Sequence, residues 1–311
     1  MNIRNLGFAQ VLIIHAVIVG THGEKERLPL AIAWMSSKQR WLYEKIFSFL
    51  LDSVLCNTKI HVVLLISDDE QNIHGAFTAT FEPHYTIYCH TCSFHYEQNL
   101  ISWLKNKSLW KAYYDSTKLT FDPLIYKHFI VIKHIPILPR DLILPLINFL
   151  KNDNHTKLRK VIPFYEYVEA KMLRSGYLDR ISWFSFFMRM SDSDFWYTDS
   201  TNNIGESWNS GFNAFVKTSI PNGGSFQMSF QSVHKYYTTA FKSFNEEPAG
   251  PSPAKRTKIR KATLRKKEFI LKIAEINDSV PNLRNASSYR LNSVCRKIID
   301  LIHTQYMHDE S

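Results

Sequence analysis

The sequence predicts an α/β fold with a mostly helical region set into it. Three observations carry that expectation. Short apolar runs rich in β-branched residues recur through the first 90 positions, at 8–20 (FAQVLIIHAVIVG), 28–34 (LPLAIAW), 59–66 (KIHVVLLI) and 85–88 (YTIY). Stretches with helical spacing of apolar residues separate the later runs. From about 107 to 180 the pattern turns mostly helical, broken at Ile135 to Arg140 (IPILPR).

Taken in order, residues 8–20 read as a buried strand and Thr21 to Glu26 as a turn, with Gly23 as the breaker. Leu28 to Trp34 then makes an antiparallel partner. Ser36 and Ser37 are candidate caps for a helix near 38–52. Its apolar positions Trp41, Leu42, Ile46, Phe47, Phe49 and Leu50 suit a helix packed on a sheet. The strand at 59–66 ends in Asp68, Asp69 and Glu70, a place where α/β folds put reactive groups. A helix over 70–81 carries Ile73, Ala76, Phe77 and Phe81 on one stripe, and Pro83 stops it. A short strand follows, and a helix over 94–106 begins in a Cys/His-rich element.

The chain of 311 residues can bury a substantial core, as one domain with an insertion or as two. Its 45% hydrophobic and 14% aromatic content is that of a globular protein. It holds 38 Lys and Arg against 28 Asp and Glu, which favours a polyanionic partner, nucleic acid before anionic membrane. Much of the excess is local: residues 255–267 carry eight basic side chains and no acid, and the rest of the chain is nearly neutral. Four cysteines are too few for a disulfide framework, which points to a reducing compartment. Residues 1–21, with Arg4 before a mostly apolar run, also have the form of a signal peptide, and sequons at Asn106, Asn154, Asn277 and Asn285 would fit secretion. Gln10 and His15 interrupt that run. No other segment is apolar enough for its length to span a bilayer.

Several motifs together resemble the catalytic core of Mutator-like element transposases. Gln10, Ile14 and His15 fit the family's Q-x-x-x-I-H, Pro29, Leu30 and Ala31 its P-L-A, and Lys38, Tyr43 and Phe47 its K-x-x-x-x-Y-x-x-x-F. S-D-D-E at 67–70, F-E-P at 81–83 and C-S-F-H-Y-E-Q-N-L at 92–100 follow the same pattern. Thr201, Asn202, Asn203, Glu206 and Asn209 fit its T-N-N-x-x-E-x-x-N element, and Pro221 and Asn222 the h-P-n that follows. The resemblance covers about residues 8–225. It implies an RNase H-like core, of DDE integrase and transposase type, missing its first strand. The segments would be a first core part at 1–100, a helical insertion at 101–198, a last core helix region at 199–245, and a basic linker with a C-terminal tail at 246–311. Where the family carries its first Asp in a D-G-T-F strand, no D-G-T-F occurs in this chain.

The implied chemistry is phosphodiester cleavage and strand transfer on DNA. Three carboxylates hold two divalent ions, usually Mg²⁺, because hard cations take oxygen ligands. Asp68 would be the second acid and Glu206 the third, both as catalytic residues and metal ligands, and with no first Asp the product as written is expected to be inactive. A non-catalytic DNA- or protein-binding derivative is the alternative, and a secreted protein a further one. Taken by itself, an acidic turn after a strand is a solvated loop or a helix N-terminus that carries acids.

Cys89, His90, Cys92 and His95 have zinc-ligand chemistry at close spacing, with Cys92 and His95 the signature pair. Packing near the acidic turn is the other reading. Lys255, Arg256, Lys258, Arg260 and Lys261 would bind DNA phosphates or serve nuclear import, or belong to a solvated linker. A basic helix is expected over 259–277 after a proline-containing linker at 246–258. The aromatic run at 183–197 reads as core of the insertion or as a base-stacking surface. Nuclear localisation, DNA as partner and no membrane are the resulting expectations, with homo-oligomerisation left open.

Overall fold

The computed structural model describes residues 10–19, 25–56, 62–110, 122–152, 162–189, 231, 235, 253–280 and 286–309. The fold is mixed α/β, predominantly helical with small sheets. It divides into two compact units, one assigned residues 1–89 and 201–260, the other 90–200 and 261–311.

In the first unit, β1 (Gln10–Val19) and β2 (Lys25–Met35) pair antiparallel over their whole length. The register slips between Ile14 and His15, which faces Pro29. A proline has no N–H for the ladder, so an irregularity is where a strand can hold one. Helix α1 (Arg40–Leu50) follows and widens into a π-type turn over Leu51–Leu55. Then come β3 (Val62–Ser67), α2 (Gln71–Phe81) and β4 (Thr86–Thr91). This is the expected order of strands and helices, with ends moved by a few residues. The cap at α1 differs from expectation. Gln39 occupies the cap position without a side-chain bond, and Ser37 Oγ accepts only a long contact, 3.4 Å, from the Gln39 N–H.

Among the described residues the four strands form two separate two-stranded sheets, β1–β2 and β3–β4. Both pairs lay one face on the same core. Leu12, Ile14, Ala31 and Ala33 from the first pair, and Val63, Leu65, Ile87 and Cys89 from the second, pack against Tyr43, Phe47, Leu50, Ile73, Ala76, Phe77 and Phe81. Alternation along each strand selects those residues. Phe47 meets Phe77 and Phe81 edge-on at 5.7 Å, which locks α1 against α2. Trp34, on the opposite face of β2, stays 41% exposed.

The second unit is helical apart from the end of β4. Helix α3 (Ser93–Asn106) leads to α4 (Pro123–Lys133), a single 3₁₀ turn at Ile135–Ile137, α5 (Arg140–Asn152) and α6 (Ile162–Met172). Gly176, at φ +64°, supplies the left-handed residue that turns the chain into α7 (Tyr177–Ile181), and α8 (Phe184–Arg189) follows. The core is aliphatic and aromatic, with Val131, Ile132, Ile143, Ile147, Val168 and Trp183 fully buried.

Two long helices complete the described chain, α9 (Pro253–Asp278) and α10 (Ser288–Asp309). Pro253 opens α9, where its missing N–H costs no helical bond. The helix therefore starts inside the stretch that composition reads as linker. Residues 288–309, which composition reads as polar tail, form a helix that packs on α4 and α5. It buries Val294, Cys295, Ile298 and Ile302, spaced i, i+1, i+4 and i+8 on one stripe. Among the described residues no helix is long and apolar enough to cross a membrane.

Candidate functional site

Among the described residues of the first unit, the acidic turn between β3 and α2 carries a connected set of hydrogen bonds. Strand β3 ends at Ser67, and α2 is entered through Glu70 as its N-cap residue. Between them the chain makes a three-residue turn, in which the Glu70 N–H donates to the Asp68 carbonyl at 2.7 Å. His74 Nε2 lies 2.9 Å from the same oxygen, and the Ser67 hydroxyl donates to it at 2.9 Å. The carbonyl oxygen only accepts, and Nε2 faces it across the turn. Its 2.6 Å contact with Ser67 Oγ closes the triangle. These contacts together fix the backbone of Asp68 at the strand end. His74 is buried on the stripe of α2 that faces the core, so the imidazole is held in place by packing.

A second set of bonds holds Glu70. The Tyr43 hydroxyl donates to its Oε1 at 2.5 Å, and Lys38 Nζ reaches Oε2 at 3.0 Å. Gln10 Nε2 donates to the Tyr43 oxygen at 2.6 Å and approaches Met35 Sδ at 3.2 Å. Asn72 Nδ2 donates to the Lys38 carbonyl at 2.8 Å, which pins the β2–α1 connection to α2. The network therefore joins β1, the β2–α1 connection, α1 and the acidic turn. Burial, and then the bond to the Glu70 carboxylate, push the Tyr43 hydroxyl well above the usual phenol range. It stays a donor at every physiological pH.

Comparison of the chain with protein-family models, curated proteins and solved structures gives no match.

The expected site residues fall in three places. Asp68 stands exposed at the end of β3, with Asp69 half-buried beside it. Glu206 lies outside the described residues, as do Thr201, Asn202, Asn203 and Asn209 of the same element. Of the basic residues Lys255, Arg256, Lys258, Arg260 and Lys261, all lie on α9, and the Lys261 side chain is exposed. Successive residues of a helix step by 100°, so these five positions and those of Arg265, Lys266 and Lys267 are spread around the rod rather than along one face. Lys266 sits 3.9 Å over the Phe187 ring, a cation–π contact that belongs to the core side of α9.

The Cys/His cluster is spread over different surroundings. His90 stacks on Trp183 with ring centroids 4.5 Å apart, and its Nδ1 is 3.2 Å from the Arg180 carbonyl. Trp183 in turn donates its indole N–H to the Thr91 carbonyl at 3.2 Å. Cys92 is fully buried at the N-cap position of α3, and His95 is half-buried one turn on. Among the described residues no three His, Cys, Asp or Glu side chains come together in a metal-holding group. Of the aromatic run, Trp183, Phe184, Phe186 and Phe187 are buried in the helical core, and positions 190–197 lie outside the described residues.

What sequence reasoning missed is the part played by Gln10, Lys38, Tyr43 and His74. Tyr43 and Lys38 entered only as matches to a pattern, and His74 not at all. The one available signal was position: His74 falls on the same helical face as Ile73 and Phe77, one turn past the acidic residues.

Proposed function

We propose that the chain derives from a Mutator-like transposase and acts on DNA through an RNase H-like core. The observation that carries this reading is the convergence at the acidic turn. Gln10, Lys38, Tyr43 and Glu70 come from three motifs of the resemblance, Lys38 and Tyr43 sharing one, and they form one continuous set of hydrogen bonds. The order of elements from β1 to α3 is also the one that the resemblance implies.

In this reading the carboxylate of Asp68 is a hard oxygen donor of the type a magnesium ion takes. Glu206 is the other donor this chain would bring. The metal would supply activation of water or of a 3′-hydroxyl and stabilisation of the leaving oxygen. The chain's own part is to fix Asp68 at the end of a strand, through Ser67, His74 and the Glu70 N–H. No D-G-T-F occurs among the 311 residues; Asp68 and Glu206 are the two acids this chain would bring, and DNA binding is the activity proposed for it. Cys92 and His95 would supply two of the four donors that a structural zinc takes.

The basic half of α9 is the proposed phosphate-binding element, and the nucleus the place where it meets DNA. The test is duplex-DNA binding across a salt series. Changing Lys255, Arg256, Lys258, Arg260 and Lys261 to Gln should flatten the dependence of log K on log salt, by about 0.9 for each phosphate that is no longer neutralised. An unchanged slope would remove α9 from the interface. No binding by the unaltered chain at low salt would defeat the reading.

A further inference from the structure

We propose that Glu70 is a positioning residue which holds the Asp68 turn in place, and not a metal ligand. This rests on the transposase-derived reading for the metal, but its structural half stands on the bonds alone.

Both carboxylate oxygens of Glu70 are engaged by the protein. Oε1 takes the Tyr43 hydroxyl at 2.5 Å and Oε2 the Lys38 ammonium at 3.0 Å. Each oxygen keeps a second lone pair, so a metal could reach Glu70 only beside these donors and, at Oε2, against the charge of the Lys38 ammonium. The tyrosine bond is the stronger restraint, since Tyr43 is buried and its oxygen is itself fixed by Gln10. The lysine is 60% exposed and adds little by itself. Through its side chain, Glu70 is therefore tied to α1 and β1. Through its backbone it closes the turn onto the Asp68 carbonyl at 2.7 Å and starts α2 by accepting the His74 N–H at 3.3 Å. His74 then returns to the same carbonyl through its ring. One residue connects the packed helix pair to the backbone that carries Asp68. The aspartate side chain is carried on a rigid strand end, and no ordering of the turn is left for the moment of binding.

The conservative variant separates the two roles. Glu70→Gln keeps an oxygen for the Tyr43 hydroxyl, Glu70→Ala keeps nothing, and Tyr43→Phe removes the donor while leaving the carboxylate. Backbone-amide hydrogen exchange of residues 67–74 in the metal-free chain reads the turn itself. Tyr43→Phe and Glu70→Ala should each speed exchange there by about tenfold, the loss of one bond to a charged group, and Glu70→Gln should stay close to the unaltered chain. Manganese binding, followed by electron paramagnetic resonance, reads the role. Glu70→Gln should bind Mn²⁺ as the unaltered chain does, and Tyr43→Phe and Glu70→Ala should bind it about tenfold more weakly. Unchanged exchange in Tyr43→Phe and Glu70→Ala overturns the inference. So does a Glu70→Gln protein with a rigid turn that has lost Mn²⁺, because Glu70 is then a ligand. If the unaltered chain binds no Mn²⁺ while exchange follows the expected pattern, the metal-site part of the transposase-derived reading fails and the positioning role of Glu70 is upheld.

Discussion

Strands β3 and β4 belong to one sheet and end in opposite ways. At the end of β3 the chain gathers carboxylates, a lysine and a tyrosine into a hydrogen-bonded turn with partial access to solvent. At the end of β4 it gathers cysteine and histidine, yet His90 is stacked on a fully buried tryptophan and Cys92 is sealed at a helix start. Polar residues at a strand end are therefore not equivalent. In the first case hydrogen bonds to fixed partners orient groups that can still meet a ligand. In the second, ring stacking and burial turn the polar residues into part of the core, and the imidazole serves as an aromatic plate with Nδ1 at the Arg180 carbonyl.

The largest expected effect breaks the β4 end. Trp183→Ala removes a buried indole, its stack on His90 and its bond to the Thr91 carbonyl. Cavity formation of that kind should cost about 3–5 kcal/mol, seen as an earlier loss of helical ellipticity on heating. A loss below about 1 kcal/mol, the level of an exposed site, would show that this end is not core.

At the β3 end the losses should be smaller and graded. Glu70→Ala leaves the buried Tyr43 hydroxyl with one partner fewer, and about 1–3 kcal/mol is expected. Lys38→Ala, at an exposed ion pair, should cost no more than about 1 kcal/mol. Denaturant melts of the two variants side by side check the order. A reversal would mean that the ion pair, and not the tyrosine, holds the turn.

The smallest effect concerns reactivity alone. Burial pushes the Cys295 thiol up to about 11, so at pH 8 it remains protonated and shielded on α10. Cys56 is exposed. A thiol reagent at pH 8 should label Cys56 first, and Cys92 and Cys295 only on unfolding. Fast labelling of Cys295 would mean that α10 leaves its place on α4 and α5.

Much of the first unit was legible because its signals are local. The runs at 8–20 and 59–66 are apolar and β-branched, and the helix at 71–81 carries its core stripe at regular spacing. The antiparallel pairing of β1 with β2 followed from two such runs joined by a short turn. The ends of the chain were harder. Residues 288–309 read as polar because the residues that the helix buries among those described form one narrow stripe, Val294, Cys295, Ile298 and Ile302. Proline content at 246–258 suggested a linker, although Pro253 is compatible with a first helical turn.

The candidate site was half legible. The acidic turn stood out at the end of a strand, where Asp68 is found. Its supports did not, because Gln10, Tyr43 and Lys38 reach Glu70 only through the fold, and nothing in their own neighbourhoods marks them as partners. The tetrad of cysteine and histidine shows the reverse problem. Its spacing suits a metal, while the stack of His90 on Trp183 depends on a residue 93 positions later.

Manganese titration of the unaltered chain beside Asp68→Asn tests the central claim most directly, with binding followed by electron paramagnetic resonance. The account predicts a site in the unaltered chain that Asp68→Asn removes, with the thermal melt unchanged. Equal binding by both proteins, or none by either, would contradict it.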